Sequence, residues 1–156
     1  MTRSGSVIAA KDSGSFRSHE GAFGRSLHVD CFGVSRVLCD DLGFFYQLLD
    51  DLTSLLHVQK QSPPYIFRSP ADRFPDKAGL SGWVPLIESG ISVHTLSIKG
   101  FVSLDVYTCG KLSVPKTISF LKQRLRPEKV QRQLLVRGIG YSSHHSLRPL
   151  EGGQET

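Results

Sequence analysis

The chain has 156 residues, 39% of them hydrophobic and 21% charged, which is typical of a single folded domain. No apolar run approaches the ~20 residues of a membrane-spanning helix, and the apolar stretch 7–10 is too short for the core of a signal peptide, so we expect a cytoplasmic protein without a membrane partner. The net charge of +5 comes from scattered basic residues with no aromatic residues interleaved, which favours a solvated surface over nucleic-acid binding.

The first half of the chain is predicted to hold one strand and one helix. Residues 1–23 are rich in Ser and Gly and are predicted to be disordered. Alternating polar and apolar residues then indicate a strand at 26–32. Apolar residues recur at helical spacing over 42–56, behind Asp40 or Asp41 as the residue that caps the start of the helix.

The second half is richer in strands and contains one further helix. The segments typical of strands are 65–68, 80–88, 91–96, 101–108 and 130–136. Pro115 fits the first turn of a helix whose buried stripe includes Leu121 and Leu125. Two helices with mostly antiparallel strands predict an α+β two-layer sandwich. The polar segment 142–156 is predicted to be disordered, which leaves 24–141 as the folded domain.

The cysteines and histidines show no pattern typical of a metal site or a disulfide framework. The three cysteines, Cys31, Cys39 and Cys109, are an odd number without C-x-x-C spacing. His144 and His145 are adjacent in the polar C-terminal segment, where such residues are usually solvated. We therefore expect no bound metal, and a free thiol at Cys109.

Three chemically reactive residues lie in the strand-rich centre. His94 lies five residues after Ser89, and Cys109 lies twenty residues after it. Each of these residue types alone is common for structural reasons. With their surroundings, 80–95 (LSGWVPLIESGISVHT) and 104–110 (LDVYTCG), they resemble the short prokaryotic S-adenosylmethionine decarboxylases. That family shows an SG…ES-x-x-x-x-HT segment and then DVFTCG at this same separation.

The resemblance covers residues 24–137 and implies a particular fold. Segment 24–30 is similar to the family's opening strand, and 116–136 to its second helix and final strand. The family implies a four-stranded antiparallel sheet with two helices on one face. It also implies a homodimer of processed chain pairs in which Phe74 lines the partner's site.

The resemblance further implies a self-processing enzyme with a pyruvoyl cofactor. The Ser89 hydroxyl would attack the carbonyl group of Glu88, convert the amide into an ester, and undergo elimination that splits the chain between these residues. The second fragment would then begin with a pyruvoyl group, whose ketone forms a Schiff base with the substrate amine and accepts the electrons left by carbon dioxide. Pyridoxal phosphate does the same in other decarboxylases. The implied activity is decarboxylation of S-adenosylmethionine in polyamine biosynthesis.

The family pattern also assigns roles to the neighbouring residues. His94 matches the histidine that assists processing by proton transfer, and Ser81 matches a serine that helps the same step. Cys109 matches the residue that returns a proton to the substrate carbon after decarboxylation. A hydrolase with Cys109 as nucleophile and His94 as base is a competing interpretation. It explains neither the step at Glu88 and Ser89 nor the DVYTCG segment.

Four positions depart from the family pattern. Gly90 replaces the histidine that usually follows the cleaved serine, which changes the backbone freedom at the scissile bond. Leu96 replaces the tryptophan that stacks on the substrate's adenine, Ser97 replaces a proline, and Ile98 replaces the glutamate that binds the ribose. Losing a stacked ring and a charged hydrogen bond weakens nucleoside recognition by roughly 2–4 kcal/mol.

These losses leave two substrates open. The first interpretation is S-adenosylmethionine, and the alternative is the same machinery acting on L-ornithine or L-arginine, whose distal cation Asp72, Asp76 or Asp105 would bind. A second alternative is an unprocessed relative that regulates an active subunit. The residues predicted to contact the small-molecule substrate are Phe74, Leu96, Ile98 and Asp105.

Overall fold

The computed structural model describes residues 21–141. The segments predicted to be disordered, 1–23 and 142–156, lie outside the described residues except for 21–23. In chain order the elements are β1 (Gly24–Phe32), α1 (Leu42–Leu56), β2 (Tyr65–Ser69), β3 (Gly79–Leu86), β4 (Ser89–Leu96), β5 (Phe101–Thr108), α2 (Val114–Leu125) and β6 (Lys129–Arg137), with short 3-10 turns at Leu38–Asp40 and Ser97–Lys99. The predicted α+β class is confirmed.

The strands form one antiparallel sheet in the order β2-β3-β4-β5-β1-β6. The sheet has six strands, so the four-stranded sheet implied by the resemblance was wrong. The physical reason is that both edge segments find full-length partners: β2 pairs with β3 over five residues, and β6 pairs with β1 over nine. Each edge strand satisfies backbone donors and acceptors that a four-stranded sheet would leave to water.

Both helices contribute to one hydrophobic core with the inward face of the sheet. β5 shows the alternation most clearly, because Val102, Leu104 and Val106 are buried while the residues between them are partly exposed. From α1 the core takes Phe45, Leu48, Leu49, Leu52 and Leu56, and from α2 it takes Ile118, Leu121 and Leu125. Each fully buried side chain of this kind contributes about 1.5–3 kcal/mol. Within residues 21–141 no helix covers the opposite sheet face, which carries large exposed side chains.

Local signals explain where the helices begin and end. The Asp41 carboxylate accepts a hydrogen bond from the Phe44 N–H group at 2.9 Å, which selects Asp41 as the cap of α1. Pro115 lies in the first turn of α2, as its fixed φ angle favours. Across the described part of the chain neither helix is long and apolar enough to cross a membrane.

Candidate active site

Ser89 lies at the tight connection between β3 and β4. Only Ile87 and Glu88 separate the two strands, and Ser89 pairs with Leu86 on one side and with Thr108 of β5 on the other. Its φ angle is 140°, a region that a residue with a side chain seldom adopts. Such a conformation costs on the order of 1–3 kcal/mol, so the folded chain holds Ser89 under strain.

The peptide group before Ser89 is anchored from both sides. The Glu88 carbonyl oxygen accepts a hydrogen bond from the Cys109 backbone N–H group at 3.0 Å. The Glu88 carboxylate accepts another from the Gln59 N–H group, also at 3.0 Å. The end of β5 therefore brings Cys109 directly beside the Glu88–Ser89 peptide bond and polarises its carbonyl group.

Cys109 differs from the other two cysteines in exposure. Burial, with a smaller contribution from the neighbouring Asp30, raises the pKa of Cys31 to about 11. Burial, with Asp40 second, does the same to the pKa of Cys39. Both thiols therefore stay protonated at neutral pH and are shielded from solvent, whereas Cys109 is an exposed free thiol. Among the described residues, no three His, Cys, Asp or Glu side chains cluster as metal ligands.

Ser81 and His94 form a second group at the other end of β4. They are directly opposite each other on β3 and β4, and the Ser81 hydroxyl lies 3.1 Å from His94 Nδ1, within hydrogen-bond distance. His94 is five residues along the strand from Ser89. At about 3.3 Å per residue, that separation amounts to about 16 Å. One chain therefore brings Ser89, Glu88 and Cys109 together, and Ser81 and His94 together, but keeps the two groups apart.

The four predicted substrate-binding residues lie on different elements of the chain. Phe74 lies in the loop after β2, with the Arg73 guanidinium 5.7 Å from its ring centre. Leu96 ends β4 opposite Phe101, and Ile98 is exposed in the following 3-10 turn. The loop after Phe74 meets this turn, because the Ser97 N–H group donates to the Ala78 carbonyl oxygen at 2.9 Å.

Asp105 is already engaged by a neighbouring side chain. His28 Nδ1 donates to the Asp105 carboxylate at 2.6 Å, and His28 Nε2 lies 3.1 Å from the Ser26 hydroxyl. Since a carboxylate only accepts, Nδ1 must carry the proton in this arrangement. Asp105 thus orients His28 on the uncovered sheet face.

A pocket of about 420 Å³ opens on this uncovered face, and sequence reasoning did not identify it. We call it the aromatic pocket; its lining residues are Tyr65, Phe67, Ser81, Gly82, Trp83, Ser92 and His94. The two aromatic residues of β2 are two positions apart and therefore share a face. Tyr65 is directly opposite Trp83, and Phe67 is directly opposite Ser81. The spacing was visible in the sequence, but the pairing of β2 with β3 was not.

Gly90 provides room for one wall of this pocket. A side-chain carbon added at Gly90 would lie 2.8 Å from Trp83 Nε1, which is too close. The indole ring therefore occupies the space that a side chain at this position would need. The absence of a side chain at Gly90 therefore makes room for the bulky Trp83 ring.

Comparisons with known proteins agree on one family. The family model described as S-adenosylmethionine decarboxylase matches residues 25–138. The chain is 33% identical to an S-adenosylmethionine decarboxylase proenzyme 2 of Bacillus cereus over 119 residues, which cover 76% of this chain and 91% of that protein. It is 34% identical to the S-adenosylmethionine decarboxylase proenzyme of Brevibacillus brevis, covering 76% and 84%. Its fold is similar to the crystal structure of the adenosylmethionine decarboxylase from Aquifex aeolicus, with a TM-score of 0.65, 27% identity, and coverage of 76% and 92%.

Proposed function

The chain belongs to the S-adenosylmethionine decarboxylase family, and on that basis we propose that it is a self-processing decarboxylase of S-adenosylmethionine whose cofactor is made from Ser89. The proposal rests on the geometry of the Glu88–Ser89 peptide bond and of the serine that follows it. Its carbonyl oxygen is hydrogen bonded to the Cys109 N–H group, and the serine after it has a strained backbone. The family match and the relatives named above support S-adenosylmethionine, and they do not favour L-ornithine or L-arginine as substrate or an unprocessed regulatory role.

The first step of processing is attack by the Ser89 hydroxyl on the Glu88 carbonyl carbon. Negative charge then develops on the carbonyl oxygen, where the Cys109 N–H group already points. Breaking the C–N bond turns the amide into an ester and frees the serine nitrogen. This rearrangement removes the geometry that holds φ at 140°, so relief of strain favours it.

The second step separates the two fragments. Loss of the proton on the Ser89 α-carbon expels the ester oxygen, which leaves with the carboxyl group of Glu88. The remaining dehydroalanine takes up water and releases ammonia, and this leaves a pyruvoyl group attached to the nitrogen of Gly90. Two observations support this group: the Glu88 carbonyl oxygen is hydrogen bonded to the Cys109 N–H group, and Cys109 is an exposed thiol.

The pyruvoyl group supplies the electron-accepting carbonyl that amino-acid decarboxylation requires. The protein's own contribution after cleavage is positioning and proton transfer. Cys109 follows the end of β5, adjacent to the strand pair of Ser89 and Thr108, and its side chain is exposed. We assign to its thiol the return of a proton to the substrate carbon.

We further propose that the active unit is a homodimer. Proton transfer requires contact within about 3 Å, yet Ser89 and His94 lie at opposite ends of β4. A two-fold axis between two uncovered sheet faces, running across the strands, reverses the strand direction. It places the end of β4 that holds His94 of a second copy over the end that holds Ser89 of the first, so that each site uses residues of both chains.

Intact mass spectrometry tests the proposed function. The 17.2 kDa chain should convert into two fragments divided between Glu88 and Ser89, while a Ser89→Ala variant stays intact. The processed protein should release carbon dioxide from S-adenosylmethionine, with much lower rates on L-ornithine and L-arginine supplied at equal concentration. A wild-type chain that stays at full mass under all conditions would refute self-processing.

A further inference from the structure

The end of the sheet that carries Ser81 and His94 is held by one buried hydroxyl group. Thr95 follows His94 on β4 and is only 3% exposed, on the inward face of the sheet. Its hydroxyl group accepts a hydrogen bond from the Leu80 N–H group at 2.8 Å and donates one to the Cys39 carbonyl oxygen at 2.7 Å. Both partners are themselves buried. A hydroxyl group that both donates and accepts in the interior has a fixed position.

These hydrogen bonds lie where the pairing of the two strands stops. The register of β3 with β4 ends at Ser81 opposite His94, and the ends of strands open easily unless a further contact holds them. The hydrogen bond from Leu80 to Thr95 supplies such a contact, one residue beyond the last pair. The backbones also approach closely there, because a carbon added at Gly79 would lie 2.2 Å from the Thr95 carbonyl oxygen. Thr95 therefore keeps the last pair closed.

The second partner of the Thr95 hydroxyl group is itself fixed to the sheet. Cys39 lies in the 3-10 turn before α1. The next residue, Asp40, accepts two hydrogen bonds from the Arg68 guanidinium of β2, at 2.9 Å to its carboxylate and at 2.7 Å to its carbonyl oxygen. Thr95 thus joins β3 and β4 to a turn that is anchored on β2. Support of this kind, from side chains behind a reactive group, is what holds such a group in its productive geometry.

Resting on the proposed function, we propose that Thr95 is a positioning residue for self-processing, which acts through the Ser81–His94 pair. Alternation along each strand places Thr95 and Leu80 on the inward face and the pair that they adjoin on the opposite face. A hydrogen bond between the two inward residues fixes the directions in which the neighbouring side chains leave the backbone. The Ser81 hydroxyl lies 3.1 Å from His94 Nδ1, so Nε2 is the ring nitrogen left for proton transfer.

The first experiment follows self-cleavage of the full-length chain over time by intact mass spectrometry. Thr95→Val keeps the shape of the side chain but removes the hydroxyl group. It should slow cleavage by about 100-fold, as expected when a reacting group is displaced by about 1 Å. Thr95→Ser keeps the hydroxyl group and should recover most of the rate. A wild-type rate for Thr95→Val, or a rate for Thr95→Ser as low as that for Thr95→Val, would overturn the assignment.

Two controls separate positioning from loss of stability. Thr117→Val removes another buried hydroxyl group, which donates to the Ser113 carbonyl oxygen at the start of α2. Leu52→Ala removes a fully buried core side chain of α1. Both variants should unfold at lower urea concentration than the wild type and still cleave at the wild-type rate while folded. If they cleaved as slowly as a Thr95→Val chain of equal stability, the proposal would be wrong.

A second experiment asks whether Thr95 acts through His94. Under mild conditions hydroxylamine cuts an ester and leaves an amide intact, so its products show the stage at which a slow variant stops. Thr95→Val and His94→Ala should stop at the same stage and give the same products, and different products would contradict the proposal. If Thr95→Val does not fold, Arg68→Met takes its place. It loosens the same turn from an exposed position and should slow cleavage to a smaller extent, whereas an unchanged rate would contradict the proposal.

An NMR measurement distinguishes failure of this proposal from failure of the proposed function. The imidazole nitrogen shifts of His94 are recorded in the uncleavable Ser89→Ala chain, where adding Thr95→Val should change them and adding Thr117→Val should not. If the wild-type chain never cleaves, the proposed function fails, and the shifts still show whether Thr95 orients His94. If the wild type cleaves and neither the rate nor the shifts respond to Thr95→Val, only the assignment to Thr95 fails.

Discussion

At the scale of single residues, the Trp83 indole ring occupies the space that a side chain at Gly90 would need, close to the Glu88–Ser89 peptide bond. The 2.8 Å approach shows that the wall of the aromatic pocket and the backbone after Ser89 cannot be varied independently. A side chain introduced at Gly90 must displace the indole ring or shift β4. Either movement changes the backbone next to Ser89, where the proposed self-cleavage takes place.

Gly90→Ala should therefore destabilise the protein by about 1–3 kcal/mol and slow self-cleavage, because overpacking forces neighbouring groups to move. Adding Trp83→Val should recover most of both losses. Urea denaturation and the time course of fragment formation by intact mass spectrometry measure the two effects.

Gly43→Ala serves as the control for this substitution. The nearest atom to an added carbon at Gly43 is a side-chain oxygen of Asp41 at 3.5 Å, an ordinary contact. This variant should have wild-type stability or slightly more. If Gly90→Ala behaved like Gly43→Ala, the packing of Trp83 on Gly90 would not constrain the site.

At the scale of elements, the two helices are joined by an ion pair. Asp51 of α1 is hydrogen bonded to Arg124 of α2, and the Arg124 guanidinium also lies 5.4 Å from the ring centres of Phe44 and Phe120. The hydrogen bond from Arg124 first, and that from Gln47 second, lower the pKa of Asp51. The pair holds the helices side by side over the core.

Because this pKa is lowered in the folded state, the carboxylate stabilises the fold above the ordinary Asp pKa of about 3.9. That stabilisation is lost as the pH falls through the lowered folded-state value. Asp51→Asn should cost about 0.5–1 kcal/mol at pH 7, since the pair is partly exposed, and the difference from wild type should shrink in acid.

Urea denaturation at several pH values measures the difference in the free energy of unfolding between Asp51→Asn and the wild type. Asp72→Asn is the control, because it removes an exposed carboxylate in the loop after β2, outside the ion pair between the helices. If the difference in unfolding free energy between Asp51→Asn and the wild type stayed constant down to low pH, the charge of Asp51 would not be the stabilising feature.

At the scale of the whole molecule, Ser89 and His94 lie at opposite ends of β4, and the proposed homodimer predicts that each site uses residues of both chains. Two inactive variants should therefore complement each other. The His94→Ala chain keeps Ser89, and the Ser89→Ala chain keeps His94, so a mixed dimer contains one complete processing site.

Neither variant should cleave efficiently alone, whereas co-expression should produce fragments derived from the His94→Ala chain only. Isotope labelling of one chain identifies the source of the fragments by mass. Cleavage at the wild-type rate by His94→Ala alone would show that His94 is not needed. Absence of cleavage in the mixture, with mixed dimers demonstrated, would place processing within one chain.

The sequence by itself determined most local features of this protein. Periodicity located both helices and all six strands of the described region. Burial at alternate positions of a strand, or at helical spacing in a helix, gives a pattern among residues that are close together in the chain. The resemblance of segments 80–95 and 104–110 to the family's motifs singled out Ser89, His94 and Cys109. The six strand segments were all recognised, and the error in the strand count came from the family resemblance, not from the alternation.

Only the tertiary structure decided how these pieces meet. Strand order depends on pairing between distant segments, so the sequence did not show Tyr65 opposite Trp83 or Asp105 bound to His28. Nor did it show that the Cys109 N–H group meets the Glu88 carbonyl oxygen while His94 remains at the far end of β4. Contacts of this kind join residues far apart in the chain, and local composition carries little information about them.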